Sequence, residues 1–200
     1  MTEIREPQKA NAREKKRKII AAGLKAFSEK GYYNTTTAEI AKIAGVSTGI
    51  VYNYFTDKKD IFLQALQFYF QAVFAPMEEA LEALKPPFEL KETIRSLIQV
   101  TVQSHQNRRE AHEEFIAMSH LDEDVANEFM AVEKQITDTL AVHLNAHGID
   151  FPDLREKTHI TYHLVEDFAH ECVYHRHPYI DYDKMLDETV RLLLKLFDAE

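Results

Sequence analysis

The chain has 200 residues, 45% of them hydrophobic, with only five glycines and six prolines, which allows a sizeable core and suits long helices. No apolar run is long enough to span a bilayer and the N-terminus is charged without an apolar h-region, so a soluble, cytosolic protein is expected. A single cysteine, Cys172, excludes an intrachain disulfide framework, and the net charge of −9 argues at first against a nucleic-acid partner.

That average hides an asymmetry. Residues 1–60 carry 12 Lys and Arg against 7 Asp and Glu, whereas residues 61–200 carry 12 against 26. Residues 1–10 contain Pro7 and no apolar period, and a frayed, disordered tail is expected there. From about Arg13 to Lys30 the residues Ile19, Ile20, Leu24 and Phe27 recur at helical spacing, with Gly31 as the cap that follows. Arg13, Lys15, Lys16, Arg17 and Lys18 form a basic cluster at the start of this helix, suited to phosphate contact or to simple solvation.

The segment from Thr36 to Phe55 carries the most information. Thr36 followed three residues later by Glu39 is a capping box that starts a short helix through Ile40, Ala41 and Ala44. Gly45 sits where the chain must turn with φ > 0, Val46 plugs the turn, and Ser47 is the N-cap of a second short helix holding Val51. Two short helices joined by a glycine turn read as a helix-turn-helix, whose second helix lies in the major groove. Thr48, Gly49 and Asn53 are the base-facing candidates. Tyr52, Tyr54 and Lys58 are placed for phosphate, with Thr36, Thr37 and Ser47 at the two helix starts where an anion is favoured. Phe55 reads as core.

The order and spacing of Lys30-Gly31-Tyr32, Thr36-Thr37, Ile40-Ala41, Ala44-Gly45-Val46-Ser47, Tyr52-Asn53-Tyr54-Phe55 and Lys58 resemble the N-terminal signature of the TetR family of bacterial transcriptional regulators. The resemblance covers the first third of the chain; the rest fits in length and helical character alone. It implies an all-α homodimer with a three-helix DNA-binding head and a larger ligand-binding and dimerisation body. Its partners would be double-stranded, palindromic operator DNA and a small-molecule effector that relieves repression. No cofactor and no membrane partner are expected. Domain limits of 11–58 for the head and 59–200 for the body follow.

Past Asp57, an N-cap, a helix runs through Ile61, Phe62, Leu66 and Phe70 toward Pro76 and would act as the lever between head and body. Pro86-Pro87 is a break. Helices then follow over Leu90 to Gln106, Arg109 to Met118, Asp122 to His147 closed by Gly148, Asp153 to about His175, and Asp181 to Phe197. The last two carry wide apolar stripes, and Leu164, Val165, Phe168, Cys172, Leu186, Val190, Leu193 and Phe197 are candidates for a dimer interface or for the core of one chain. Phe70, Phe74, Phe115, Met118, Phe129, Met130 and Tyr162 are candidates for an apolar effector pocket, with core packing as the alternative. His163, Glu166, Asp167 and His170 share a polar helical face at spacings that suit a metal, the basis of a rival reading as a metal-dependent enzyme. A protein-interaction module whose head no longer binds DNA is the other alternative.

Overall fold

The computed structural model describes residues 10–84, 89–107 and 109–197, and these are helical with no strand. In chain order the helices are α1 (Ala10–Lys30), α2 (Thr37–Ala44), α3 (Thr48–Val51), α4 (Lys58–Glu82), α5 (Leu90–Gln106), α6 (Arg109–Ser119), α7 (Glu123–Ala146), α8 (Leu154–Val173) and α9 (Tyr182–Leu196). Helix α1 begins at Ala10, a residue the sequence assigned to the tail. The Pro86-Pro87 break lies outside the described residues.

Helix α4 does not stop at Pro76 but runs on for six residues. Proline removes one helical hydrogen bond at a cost of roughly 3 kcal/mol. The apolar period continues through it, and Val73, Phe74, Met77 and Leu81 are all buried, which offsets that loss.

The chain divides into two compact units, Met1–Gln71 with Glu110–Glu128, and Ala72–Arg109 with Phe129–Glu200. The first unit therefore takes in more than the helix-turn-helix. Its reach into α4 and α6 follows from a run of stacked aromatic rings. Phe62 of α4 stands 5.0 Å from Phe27 of α1, 5.1 Å from Tyr32 and 5.1 Å from Phe115 of α6, each edge-to-face. Gly23 of α1 lets the helices meet, because a Cβ there would lie 2.7 Å from Ile61 Cγ2 of α4. Lys59 then ties α4 to Asp122, which itself caps α7 by accepting from the Val125 and Asp124 amides.

The second unit is built on α5, which packs along α8 and α9. Its core joins Ile94 and Ile98 of α5, Val165 and Phe168 of α8, and Val190 and Leu193 of α9. Cys172 and Leu186 pack against that cluster, and Phe197 is also buried. Thus five of the eight dimer candidates, Val165, Phe168, Val190, Leu193 and Phe197, are buried within one chain, and Cys172 and Leu186 are half-buried. Leu164, with 36% exposure, is the one that faces out; it is joined on α8 and α9 by Ile160 and Leu192. Lys157 Nζ donates to the Leu196 carbonyl across 2.6 Å and so caps the C-terminus of α9. Burial pushes the Cys172 thiol pKa up, which disfavours the thiolate.

Candidate nucleic-acid interface

Local bonds set the geometry of the α2–α3 segment. The Thr36 hydroxyl accepts from the Glu39 amide at 3.2 Å and the Glu39 carboxylate accepts from the Thr36 amide at 3.0 Å, closing the capping box. Lys30, from the end of α1, donates to Glu39 at 2.7 Å and joins the first helix to the second. These hydrogen bonds, the one from Lys30 foremost, hold the Glu39 pKa down to about 2. Thr35 is 1% exposed, and its hydroxyl donates to the Ala26 and Gly31 carbonyls. Sequence reading passed over Thr35, because a lone threonine in a loop carries no periodic signal.

Gly45 ends α2 at φ +69°, ψ 33°, and the Val46 amide reaches back to the Ala41 carbonyl at 3.0 Å. The turn thus satisfies the last carbonyls of α2 and aims α3 away from it. Ile40, Ala41, Val51 and Phe55 are buried beneath the pair, as their spacing requires. Ser47 occupies the N-cap position of α3, but its hydroxyl makes no capping bond and stands exposed.

The outward face of this scaffold holds the remaining candidates. Gly49 in α3 and Asn53 in the turn just past its end are both exposed, with Thr48 half-buried beside Gly49. Gly49 is not needed by the fold. Its φ is not positive, and a Cβ added there would meet nothing closer than Ser47 Oγ at 4.0 Å. Glycine inside a helix costs roughly 0.5–1 kcal/mol relative to alanine, so its presence favours a use outside the folded chain.

Tyr52 is 51% exposed and its phenol lies 3.2 Å from the Thr37 hydroxyl, joining the end of α3 to the start of α2. Tyr54 is half-buried. Lys58 is less free than its sequence position suggests, since its Nζ donates to the Tyr32 carbonyl at 2.7 Å and lies 4.2 Å from that ring's centre. Two N–H groups of the ammonium remain beyond that bond. On α1, Arg13, Lys15, Arg17 and Lys18 are exposed and Lys16 is half-buried. Arg13, Arg17 and Lys18 line an open cleft of about 520 Å³ with Phe68 of α4. The surface is therefore polar and hydroxyl-rich at its centre and cationic on α1.

The seven pocket candidates are divided between the two units. Phe70, Phe115 and Met118 are buried in the first unit, where Phe115 stacks on Phe62 and Tyr69. Phe74, Phe129, Met130 and Tyr162 belong to the second unit, where Phe74 packs near Tyr162 and Met130 is 56% exposed. A partly open apolar cavity of about 40 Å³ in the second unit has other walls, among them Leu81, Ile94, Leu140, His143, Thr158 and Phe197. None of the seven lines it. The proposed polar face of α8 also divides. His163 Nε2 lies 3.1 Å from His159 Nε2 on the exposed side, whereas Glu166 and His170 turn toward His105 of α5. Among the described residues no helix is long and apolar enough to cross a membrane.

Residues 19–65 match the family of bacterial regulatory proteins called tetR. Over 76 residues, 38% of this chain, the sequence is 42% identical to the HTH-type transcriptional regulator HbdR of Aromatoleum sp. (strain CIB). That segment spans 33% of the relative's length. Among solved structures, a protein from Mesorhizobium loti assigned to the TetR-family transcriptional regulators superposes with a TM-score of 0.75 at 18% identity, covering 94% of this chain and 97% of that one. The regulator FadR of Bacillus subtilis, solved with stearoyl-CoA, gives 0.62 at 19% identity, with 88% and 96% covered. At these identities the likeness is one of fold.

Proposed function

We propose that this chain, whose residues 19–65 match the tetR family of bacterial regulatory proteins, is a homodimeric transcriptional regulator of that family, a repressor that binds palindromic operator DNA and is released by a small molecule. The observation that carries the reading is the surface of α3. Gly49 of α3 and Asn53 just past its end are exposed to solvent, and a Cβ at Gly49 would meet nothing within the chain closer than 4.0 Å. An asparagine amide offers a donor and an acceptor side by side, the pattern that matches the major-groove edge of adenine, and the glycine of α3 lets the backbone approach the base edges. Ser47, Thr37, Tyr52 and the α1 cations supply phosphate contacts that fix register without reading sequence. Two copies related by a twofold axis double the few base pairs one α3 can read, and half-sites about 34–36 Å apart follow from the helical repeat. Ile160, Leu164 and Leu192 are apolar surface suited to the pairing.

The effector belongs in the second unit. Its cavity is far below the roughly 300–1,000 Å³ of a typical ligand site, so binding requires α5, α7 and α8 to part. The lining is leucine-rich, with His143 and His147 at hand as polar anchors, each with Nδ1 held by a backbone carbonyl one turn back. An elongated apolar molecule with one polar end fits that lining, in keeping with the acyl thioester held by the Bacillus subtilis neighbour. A ligand that prefers the opened body shifts the population toward it and lowers operator affinity.

Selection of bound duplexes from a random pool at two salt concentrations tests the proposal. Recovery of a palindrome whose affinity falls steeply with salt is expected; no enrichment at the lower salt would overturn it.

A further inference from the structure

Three side chains inside the second unit have no part in DNA binding. His105 of α5 is 1% exposed, Glu166 of α8 is 16% exposed, and His170 lies one turn beyond it. His105 Nδ1 sits 3.0 Å from the Thr101 carbonyl, an acceptor with no hydrogen to give, so Nδ1 carries the proton. The opposite nitrogen, Nε2, then faces Glu166 Oε2 at 3.2 Å. The same carboxylate oxygen lies 3.8 Å from His170 Nε2. A ring nitrogen of each histidine is within 4.8 Å of one of the other, and the rings stand edge-to-face. The i, i+4 spacing stacks Glu166 and His170 on one face of α8, and α5 packs along α8 to bring His105 opposite.

Two imidazole nitrogens thus lie 3.2 Å and 3.8 Å from one carboxylate oxygen, on side chains that are 1%, 30% and 16% exposed. We infer that His105, Glu166 and His170 bind a divalent transition-metal ion of the zinc class. The donor set is that of three-ligand zinc sites, which keep a fourth position for water. Metal–ligand bonds of about 2.0–2.2 Å put tetrahedral ligand atoms roughly 3.3–3.5 Å apart. The 3.2 Å pair is near that separation already, and a small rotation of His170 closes the 3.8 Å pair. The Thr101 carbonyl on Nδ1 is the outer partner that metal-binding histidines use to fix tautomer and ring orientation. An ion held there would clamp α5 to α8, which pack along one another.

The test uses the untagged full-length protein, stripped with a chelator, dialysed and titrated with Zn²⁺, with bound metal counted per chain and with Co²⁺ absorption as a report of coordination. One ion per chain and a tetrahedral Co²⁺ spectrum are expected. Glu166→Gln and His170→Gln should each weaken Zn²⁺ binding by more than the roughly 10–100-fold that loss of an outer partner causes. A His159→Gln, His163→Gln double variant, which removes the exposed pair on the same helix, should keep the site. Binding that survives both Glu166→Gln and His170→Gln, or that vanishes with the exposed pair, overturns the inference. So does the absence of bound Zn²⁺ in the wild type, a measurement that needs no variant to fold. The readout is independent of DNA binding, so its failure leaves the regulator reading untouched.

Discussion

The α2–α3 segment and the α8–α9 pair hold their helices by different means. In α2–α3 the start and the stop of α2 are set by named features: Thr36 bonded with Glu39, Gly45 in the left-handed region, and the amide of Val46 on Ala41. In α8–α9 the helices are long and their orientation is chosen by burial of Val165, Phe168, Val190 and Leu193 against α5. The lesson is that the first region depends on particular atoms and the second on apolar volume. The proposed reading surface needs the former, since a shift of an ångström would misplace base contacts, whereas the proposed opening of the body for a ligand tolerates the latter.

The largest expected effect breaks the body by volume. Phe168→Ala should cost about 3–5 kcal/mol in chemical denaturation, while Phe168→Leu should cost less than about 1.5 kcal/mol. Equal losses for the two would deny that volume is what matters there.

In the head the matching test changes one backbone conformation and no packing. Gly45→Ala puts a Cβ into open space at φ +69°, so its cost of about 1–2 kcal/mol is conformational alone. Gly45→Asn should recover part of it, because asparagine tolerates the left-handed region. Denaturation midpoints that leave Gly45→Ala at wild-type stability would count against the turn as drawn.

Smaller again is the cap. Thr36→Ala should cost about 1 kcal/mol. Glu39 adds a pH signature. Its folded pKa, about 2, lies below the ordinary value of 4.5, so its contribution is complete above pH 4.5 and is lost as pH falls from there toward 2. Thermal melts across that range should show a shallower acid decline in Glu39→Gln than in wild type; parallel curves would show that the carboxylate is not engaged in solution.

The same contrast explains what the sequence revealed. The helix-turn-helix was legible because Thr36, Glu39 and Gly45 are chemical signals readable in a short window. The body was legible only as helices. Periodicity marks an apolar stripe but not its partner, so Val165 and Leu193 looked equally suited to a dimer and to a core. The pocket aromatics scattered between the two units for the same reason. Pro76 misled because burial of Met77 and Leu81 beyond it outweighs a local penalty. The pairing of Glu166 with His105 was out of reach, since 61 residues of chain separate two groups that only tertiary packing brings to 3.2 Å. Ser47 shows the limit even in the head, holding its N-cap place without the bond that the position predicts.

The central claim, that α3 is a surface shaped for base edges, is tested most directly by Gly49→Ala. The substitution clashes with nothing in the chain and suits a helix, so stability should stay level or rise by up to about 1 kcal/mol. Affinity for the selected operator should nevertheless fall by about tenfold or more, the roughly 1–3 kcal/mol that one disturbed base-pair contact costs, while binding to random duplex holds steady. Operator affinity and sequence preference equal to wild type, in a protein made more stable, would contradict the account.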